Sequence, residues 1–410
     1  MPVETDTERP HRQLGWFRLI APGLMMAATG VGAGDLMTGT LAGTELGTTV
    51  LWAVIAGCFL KFVLSEGVAR WQLATGTTLL EGWNDKLGGW IRWGFAAYLT
   101  LFTIIVGRAL ANACGVAGTA LLPLGPTESS VTIWAIIHSL AGMAIVLRGS
   151  FRAFESTMSA LIGLMFVTVV GTTALISPPL AEIAAGLVPS VPPGGGSWVV
   201  AVLGGVGGTV TLLSYGYWIK EQDRSGLSML GPCRIDLAVG NGVTAVFGFC
   251  VIIIGSQIEV AGSGAALATQ MADRLAVAVG PVGKWVFLVG FWGAVFSSLL
   301  GVWQSIPYMF ADFVRIWRGS NGDLSKSKPY RLYVVLVAIV PLFLLQAPVR
   351  QIQLTYGVLG ALFLPVLALT LLILNNRSSW IGSAGRNPLW INIALGAGLV
   401  FFAALPLLDW

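Results

Sequence analysis

Long apolar stretches alternate with short polar ones along almost the whole chain. A bilayer core needs about 20 apolar residues per helix, and by that length the pattern predicts eleven membrane spans. The spans lie near 17–42, 48–70, 92–122, 131–148, 155–177, 198–219, 235–256, 284–312, 331–346, 352–374 and 389–408. The chain is therefore predicted to be an all-α protein that crosses a membrane many times.

The composition supports this class and narrows the function. Of the 410 residues, 55% are hydrophobic and only 10% are charged, whereas soluble domains carry about 25% charged residues. The net charge is only +4 and the basic residues are spread along the chain, so nucleic-acid binding is not expected. The four cysteines form no CxxC pair, which argues against a redox or metal-cluster site. No nucleophile–base pair or P-loop motif occurs, so we expect neither an enzyme nor a cofactor.

The basic residues also predict the orientation. With the N-terminus inside, most of the 23 lysines and arginines fall on the inner side, and only Arg274, Lys284 and Arg350 fall in outer segments. This asymmetry follows the positive-inside rule. We therefore expect a multi-pass protein of the cytoplasmic membrane, monomeric in the lipid bilayer, with the N-terminus in the cytoplasm and the C-terminus outside.

Glycine-rich interruptions occur in the first and sixth spans. The first is "ATGVGAGDLMTG" at 28–39, which contains Asp35, and the second is "LGGVGGTVTLLSYGYW" at 203–218. Each break opens a set of five spans, and an odd number of spans inverts the second half relative to the first. Matching broken helices in an inverted repeat predict a binding site near the membrane midplane. The alternative interpretation is that the glycines form helix-packing faces.

Three segments resemble the NRAMP family of divalent-metal transporters. They are "APGLMMAATGVGAGDLMTGTLAG" at 21–43, "VLWAVIAGCFLKF" at 50–62 and "FWGAVFSSLLGVWQSIPYMFADF" at 291–313. The resemblance covers most of the chain and implies a leucine-transporter-type fold, with two inverted five-helix repeats and an eleventh helix. The implied regions are a cytoplasmic tail (1–16), the first repeat (17–177), an extracellular loop (178–197), the second repeat (198–374) and the eleventh helix with the C-terminus (375–410).

The motif residues depart from the family pattern, which places this chain in a divergent branch. Where the family has Asp-Pro-Gly-Asn, the chain has Gly32, Ala33, Gly34 and Asp35, and the Met-Pro-His of the sixth helix falls on Thr211, Leu212 and Leu213. A second family histidine falls on Trp218, and two acidic positions linked to proton passage fall on Ala109 and Asn112. None of these replacements on the proton path titrates near neutral pH. We therefore expect alternating-access transport without the usual proton coupling.

The predicted site is made of oxygen atoms. Asp35 and Thr211 contribute side chains, and the backbone carbonyls of Thr29 and Gly208 match carbonyl ligands of the family. Such a site suits the hard cations Mg²⁺ or Mn²⁺. One alternative is a small organic solute, whose carboxylate the amides of Gly32 and Gly34 would hold. Another is a sensor that keeps the fold without transport.

Several charged residues near the predicted site need partners. Arg108, in the third span, is expected to pair with Asp35 or Glu66, and Asn112 lies one turn further along. Glu66 is also four residues from Arg70, which is the spacing of an ion pair within a helix. Lys61 is expected either to extend to the membrane surface or to pair. Asp312, three residues before Arg315, is expected to be solvated at a helix end.

Overall fold

The computed structural model describes residues 16–148, 151–176, 179–257, 266–320, 322–345 and 347–404, and within these ranges the regular structure is entirely helical. The α-helices in chain order are α1 (Trp16–Gly30), α2 (Gly39–Leu46), α3 (Leu51–Thr75), α4 (Leu79–Gly82), α5 (Gly89–Leu121), α6 (Thr127–Arg148), α7 (Phe151–Ile176), α8 (Leu180–Gly186), α9 (Gly196–Gly205), α10 (Ser214–Glu221), α11 (Leu230–Ser256), α12 (Leu267–Arg318), α13 (Lys328–Ile339), α14 (Val349–Ala361), α15 (Phe363–Leu374), α16 (Ser378–Ile381) and α17 (Leu389–Ala404). The backbone of α12 is kinked at Gly280, whose φ of +82° is not helical.

Shorter helical turns connect several of these helices. Two are π-helical, Ala33–Thr38 and Trp83–Leu87. Five are 3₁₀ turns, Gly47–Val50, Val210–Leu213, Leu227–Met229, Leu324–Lys326 and Val340–Leu344. The π-helical turn Ala33–Thr38 runs directly into α2, and a 3₁₀ turn joins α2 to α3. The helix is interrupted at Gly47, where α2 ends with a φ of +63°.

The helices account for the predicted spans. In the described part of the chain, eight helical segments are long and apolar enough to cross a membrane, and two shorter apolar helices are Leu19–Gly30 and Leu389–Ala404. Each of the eleven predicted spans overlaps a helix. The first two spans share the segment Asp35–Thr75, and the ninth corresponds to α13 with its 3₁₀ extension. The predicted loop at 178–197 differs from expectation in containing the short helix α8.

The two broken helices lie at the centre of the bundle. The first consists of α1 and α2, and the second of α9 and α10. Among the eight apolar segments, Gly196–Glu221, which holds α9 and α10, is the most completely buried. Around the breaks, α3, α5, α11, α12 and α14 supply the packing faces of one large hydrophobic core. This architecture confirms the predicted fold class of an all-α polytopic membrane protein.

Candidate functional site

The first break separates α1 from the π-helical turn that begins at Ala33. The Gly32 amide donates to the Gly30 carbonyl at 2.9 Å, so this predicted anion-binding amide already has an acceptor. A Cβ on Gly32 would lie 2.1 Å from Ser298 Cβ on α12, which leaves no room for a side chain. The break therefore packs its backbone directly against α12.

The second break follows α9 and depends on glycine for its backbone conformation. Gly207 and Gly208 both have φ of +77°, in the left-handed region that other residues rarely adopt. A Cβ on Gly30 would lie 2.5 Å from the Gly207 carbonyl carbon and 2.7 Å from the Gly208 nitrogen. The backbones of the two breaks therefore meet in direct contact, as the inverted-repeat interpretation predicts.

Asp35 lies at this meeting point and its side chain is fully buried. The Gly207 amide donates to Asp35 Oδ2 at 3.0 Å, while Asp35 Oδ1 has no hydrogen-bond partner within the described ranges. α14, which carries the buried Tyr356, packs against the π-helical turn that holds Asp35. A buried carboxylate oxygen without a donor is costly. This oxygen is therefore free to accept from, or coordinate, a ligand.

Lys61 brings a positive charge to the same break. Its side chain is fully buried, and its Nζ donates to the Gly204 carbonyl at 3.0 Å and to the Val206 carbonyl. The ammonium lies beside Gly207, the residue whose amide donates to Asp35. The expected extension of Lys61 to the membrane surface is wrong, because the free carbonyls at the end of α9 hold the ammonium inside. Within the described residues its hydrogen-bond partners are these carbonyls, and it forms no ion pair with a carboxylate there.

Further buried oxygens without partners lie on the elements around the breaks. In the described part of the chain these include the hydroxyls of Thr209 and Thr211 and the amide oxygens of Asn112 and Gln353. A Cβ on Gly208 would lie 2.5 Å from Thr211 Oγ1, which places that hydroxyl against the second break. Gln353 donates its amide to the Ala109 carbonyl at 3.0 Å and keeps its oxygen free.

The predicted carbonyl ligand Thr29 is already engaged. The Ser298 hydroxyl donates to the Thr29 carbonyl at 2.5 Å, and the Ser297 hydroxyl donates to the Ala28 carbonyl at 3.2 Å. A carbonyl oxygen has two lone pairs, so these bonds leave one acceptor position on each. Nowhere in the described ranges do three or more His, Cys, Asp or Glu side chains gather in a metal-binding group. A cation here would rely on Asp35, hydroxyls and backbone oxygens.

Glu66 and Arg108 differ from expectation. Glu66 binds Arg70 on its own helix, as predicted, and also Arg234 on α11 at 2.8 Å, so both of its carboxylate oxygens are occupied. Arg108 forms no ion pair with any described residue and lines a cleft between α5 and α14 with Gln351 and Thr355. Its predicted pairing with Asp35 or Glu66 is wrong, because the Gly207 amide donates to Asp35, while Arg70 and Arg234 bind Glu66.

The prediction that Asp312 is solvated is also wrong. Its side chain is fully buried, and the hydroxyls of Thr78 and Tyr217 both donate to Asp312 Oδ2 at 2.8 Å. Arg315 pairs with Asp312 Oδ1 at 2.6 Å and with Glu81 at 2.7 Å. This network connects α12 to α10 and to the turn before α4. The only feature of the sequence that indicates this network is Arg315, an arginine near the end of a helix.

A second buried network fastens α1 to α11. Asp236 accepts from the Gly23 amide at 2.7 Å, from the Tyr215 hydroxyl at 2.7 Å and from Arg224 at 3.2 Å. A Cβ on Gly23 would lie 2.3 Å from the Asp236 carbonyl oxygen, so the close approach needs glycine. The sequence analysis did not identify this carboxylate, although a lone Asp within an apolar span is the signal that could have found it.

Comparisons with known proteins agree with this architecture. The family described as "Natural resistance-associated macrophage protein-like" matches residues 23–408. The chain is 30% identical over 183 residues, 42% of its length, to the divalent metal cation transporter MntH of Xanthomonas campestris pv. campestris, and that match covers 39% of the relative. It is 24% identical over 261 residues to the MntH of Chromohalobacter salexigens, which covers 60% of the chain and 58% of the relative.

Solved structures show the same fold. A variant of the Eremococcus coleocola manganese transporter aligns with a TM-score of 0.75 at 17% identity, over 98% of this chain and 88% of that one. MhsT in complex with L-phenylalanine aligns with a TM-score of 0.63 at 14% identity, over 97% of this chain and 99% of that one. These alignments and the apolar helices described above define the class as an all-α, multi-pass membrane protein with the leucine-transporter-type fold.

Within that class, the chain belongs to the Nramp family, as its sequence resemblance predicts. The matched segments span only about two fifths of the length of the first curated relative.

Proposed function

We propose that this protein is a secondary transporter that moves a hard divalent cation, Mg²⁺ or Mn²⁺, across the membrane by alternating access. The observation that carries the proposal is the buried Asp35 carboxylate at the meeting point of the two breaks, with Oδ1 unpartnered within the described ranges. Oxygen ligands and a single carboxylate suit hard cations better than soft ones. Thr211, in place of the family methionine, adds a hydroxyl rather than a sulfur.

We also propose that the N-terminus is cytoplasmic. We further propose that transport is not coupled to protons along the family's usual path. Ala109 and Asn112 replace acidic residues on that path, and the two arginines bound to Glu66 make it a poor substitute. Uptake of Mg²⁺ or Mn²⁺ into proteoliposomes containing a pH-sensitive dye tests both the cargo and the coupling. We expect uptake without stoichiometric acidification of the lumen. No uptake of either ion would contradict the cargo, and stoichiometric acidification would contradict the coupling.

The second candidate cargo is a small organic solute, and the charge of Lys61 favours it. Because the ammonium and the Asp35 carboxylate both lie beside Gly207, the positive charge reduces the net attraction of the site for a divalent cation. A solute with its own carboxylate would instead bind near the positive charge. The same proteoliposomes distinguish the candidates, because a metal transporter accumulates the ion in the absence of any organic solute.

A further inference from the structure

Lys61 is placed where unsatisfied backbone oxygens gather. The last carbonyls of a helix have no partner inside the helix and form the negative end of its dipole. Gly204 belongs to the last turn of α9 and Val206 is the first extended residue after it. Both carbonyls accept from Lys61 Nζ. A fully buried ammonium is costly in a membrane protein unless such partners compensate it.

The ammonium and the Asp35 carboxylate lie beside the same glycine. A Cβ on Gly207 would lie 3.4 Å from Lys61 Cδ and 4.0 Å from Lys61 Nζ, while the Gly207 amide donates to Asp35 Oδ2. The second break is therefore held between one positive and one negative side chain. Cys58, one turn before Lys61 on α3, is also buried.

Carbonyls of unwound segments and of half-helix C-terminal ends coordinate Na⁺ in transporters built from broken helices. In this chain a lysine ammonium binds carbonyls of that kind. We propose that Lys61 is a resident cation, covalently attached to the protein, which replaces a free monovalent cation at the second break. The proposal deepens the proposed function and rests on it in one respect, because the carboxylate that Lys61 balances is Asp35, the proposed ligand of the transported cation.

Two consequences follow from a resident cation. The intact protein should need no Na⁺ or K⁺ at this position, so neither its stability nor its Mg²⁺ or Mn²⁺ binding should respond specifically to either ion. Removing the ammonium should leave two carbonyls and a carboxylate uncompensated around a small cavity. A free cation of suitable size should then bind there and stabilise the folded protein by mass action.

The experiment is thermal unfolding of the purified full-length protein and its Lys61→Ala variant. Chloride salts of Na⁺, K⁺, propylammonium and the bulky N-methyl-D-glucamine are compared at constant ionic strength, which separates specific binding from screening. We expect the Tm of Lys61→Ala to fall in N-methyl-D-glucamine and to rise by about 2–5 °C in a small cation, propylammonium above all. The wild type and the matched variant Lys284→Ala, which removes a partly exposed ammonium, should show no such difference.

Three outcomes would contradict the proposal. A Lys61→Ala variant that folds with a Tm independent of the cation would show that the ammonium only fills space. Failure to recover folded variant in any of the salts would show that a free cation cannot take its place. A wild-type protein stabilised by Na⁺ or K⁺ over N-methyl-D-glucamine would show that the place is taken by a free ion. Folded variant recovered only in a small cation would support the proposal. Because these readouts involve no transport, absent Mg²⁺ or Mn²⁺ uptake would count against the proposed function alone.

Discussion

The Gly207 amide donates to Asp35 Oδ2 at 3.0 Å, and this one bond joins two helix breaks that lie 172 residues apart in the chain. Gly207 needs its positive φ for the amide to take this direction, and Asp35 needs the π-helical turn to place its carboxylate there. Neither break is complete without the other. The candidate site is therefore a property of both halves of the fold together.

The Asp312 network should contribute measurably to stability. Tyr217→Phe removes a hydroxyl that donates to a buried carboxylate, and a hydrogen bond to a charged group is worth about 1.5–3 kcal/mol. The matched control is Tyr98→Phe, which removes a hydroxyl bonded to the neutral Leu359 carbonyl, where about 0.5–1.5 kcal/mol is expected. Thermal unfolding in detergent should show the larger drop in Tm for Tyr217→Phe. An equal or smaller drop would contradict the importance of the network.

Glu81 should make stability depend on pH in the acid range. Burial raises the pKa of the Glu81 carboxyl, but hydrogen bonds from Arg315 and Thr78 and the charge of Arg315 outweigh it, so its pKa lies below the ordinary value of 4.5. Its stabilising contribution is therefore complete above pH 4.5 and is lost as the pH falls through the folded-state pKa. The Tm difference between wild type and Glu81→Gln should shrink with acidification below pH 4.5. A constant difference would contradict this assignment.

The proposed orientation is tested by labelling single cysteines. The four natural cysteines are all buried, so background labelling should be low. Ser320→Cys, in the exposed turn after α12, should react with a membrane-impermeant maleimide only in inverted vesicles. Ala181→Cys, exposed on α8, should react in intact cells and serves as the opposite control. Labelling of Ser320→Cys from outside intact cells would reverse the orientation.

Thr211→Met should change which ions bind rather than abolish binding. The thioether restores the sulfur that the family has at this position, and sulfur ligands favour softer ions. We expect the affinity for Cd²⁺ or Mn²⁺ to rise relative to Mg²⁺, measured by competition on the purified protein, with Thr209→Met as the neighbouring control. An unchanged ratio of affinities would place Thr211 outside the cation's contacts.

The breaks were predictable because glycine runs and a carboxylate interrupt otherwise apolar spans, and such interruptions have few structural uses in a membrane. The position of Lys61 was not predictable in the same way. Its partners lie 143 and 145 residues away, so the contact depends on how α3 packs against the end of α9. The position of Lys61 in the sequence allowed its side chain either to extend to the membrane surface or to pair inside the protein.

Asp312 shows the same limit in another form. A carboxylate near an arginine at the end of a span is usually solvated, and nothing in the local sequence indicates otherwise. It is buried because Thr78 and Tyr217, from two distant elements, converge on one of its oxygens. Hydrophobic periodicity predicts which helices form, whereas burial of a polar group depends on tertiary contacts that bring donors to it.

We propose that Asp35 binds the transported cation, and calorimetric titration of Mg²⁺ and Mn²⁺ is the most direct test of this assignment. Asp35→Asn removes the negative charge with little change in volume and leaves Lys61 unopposed. Losing a charge-assisted contact costs about 1.5–3 kcal/mol, so affinity should fall about ten- to a hundredfold. Asp273→Asn, which removes an exposed carboxylate, should bind like the wild type. An unaltered isotherm for Asp35→Asn would contradict the assignment of Asp35 as a ligand of the cation. The absence of any isotherm for the wild type would contradict cation binding itself.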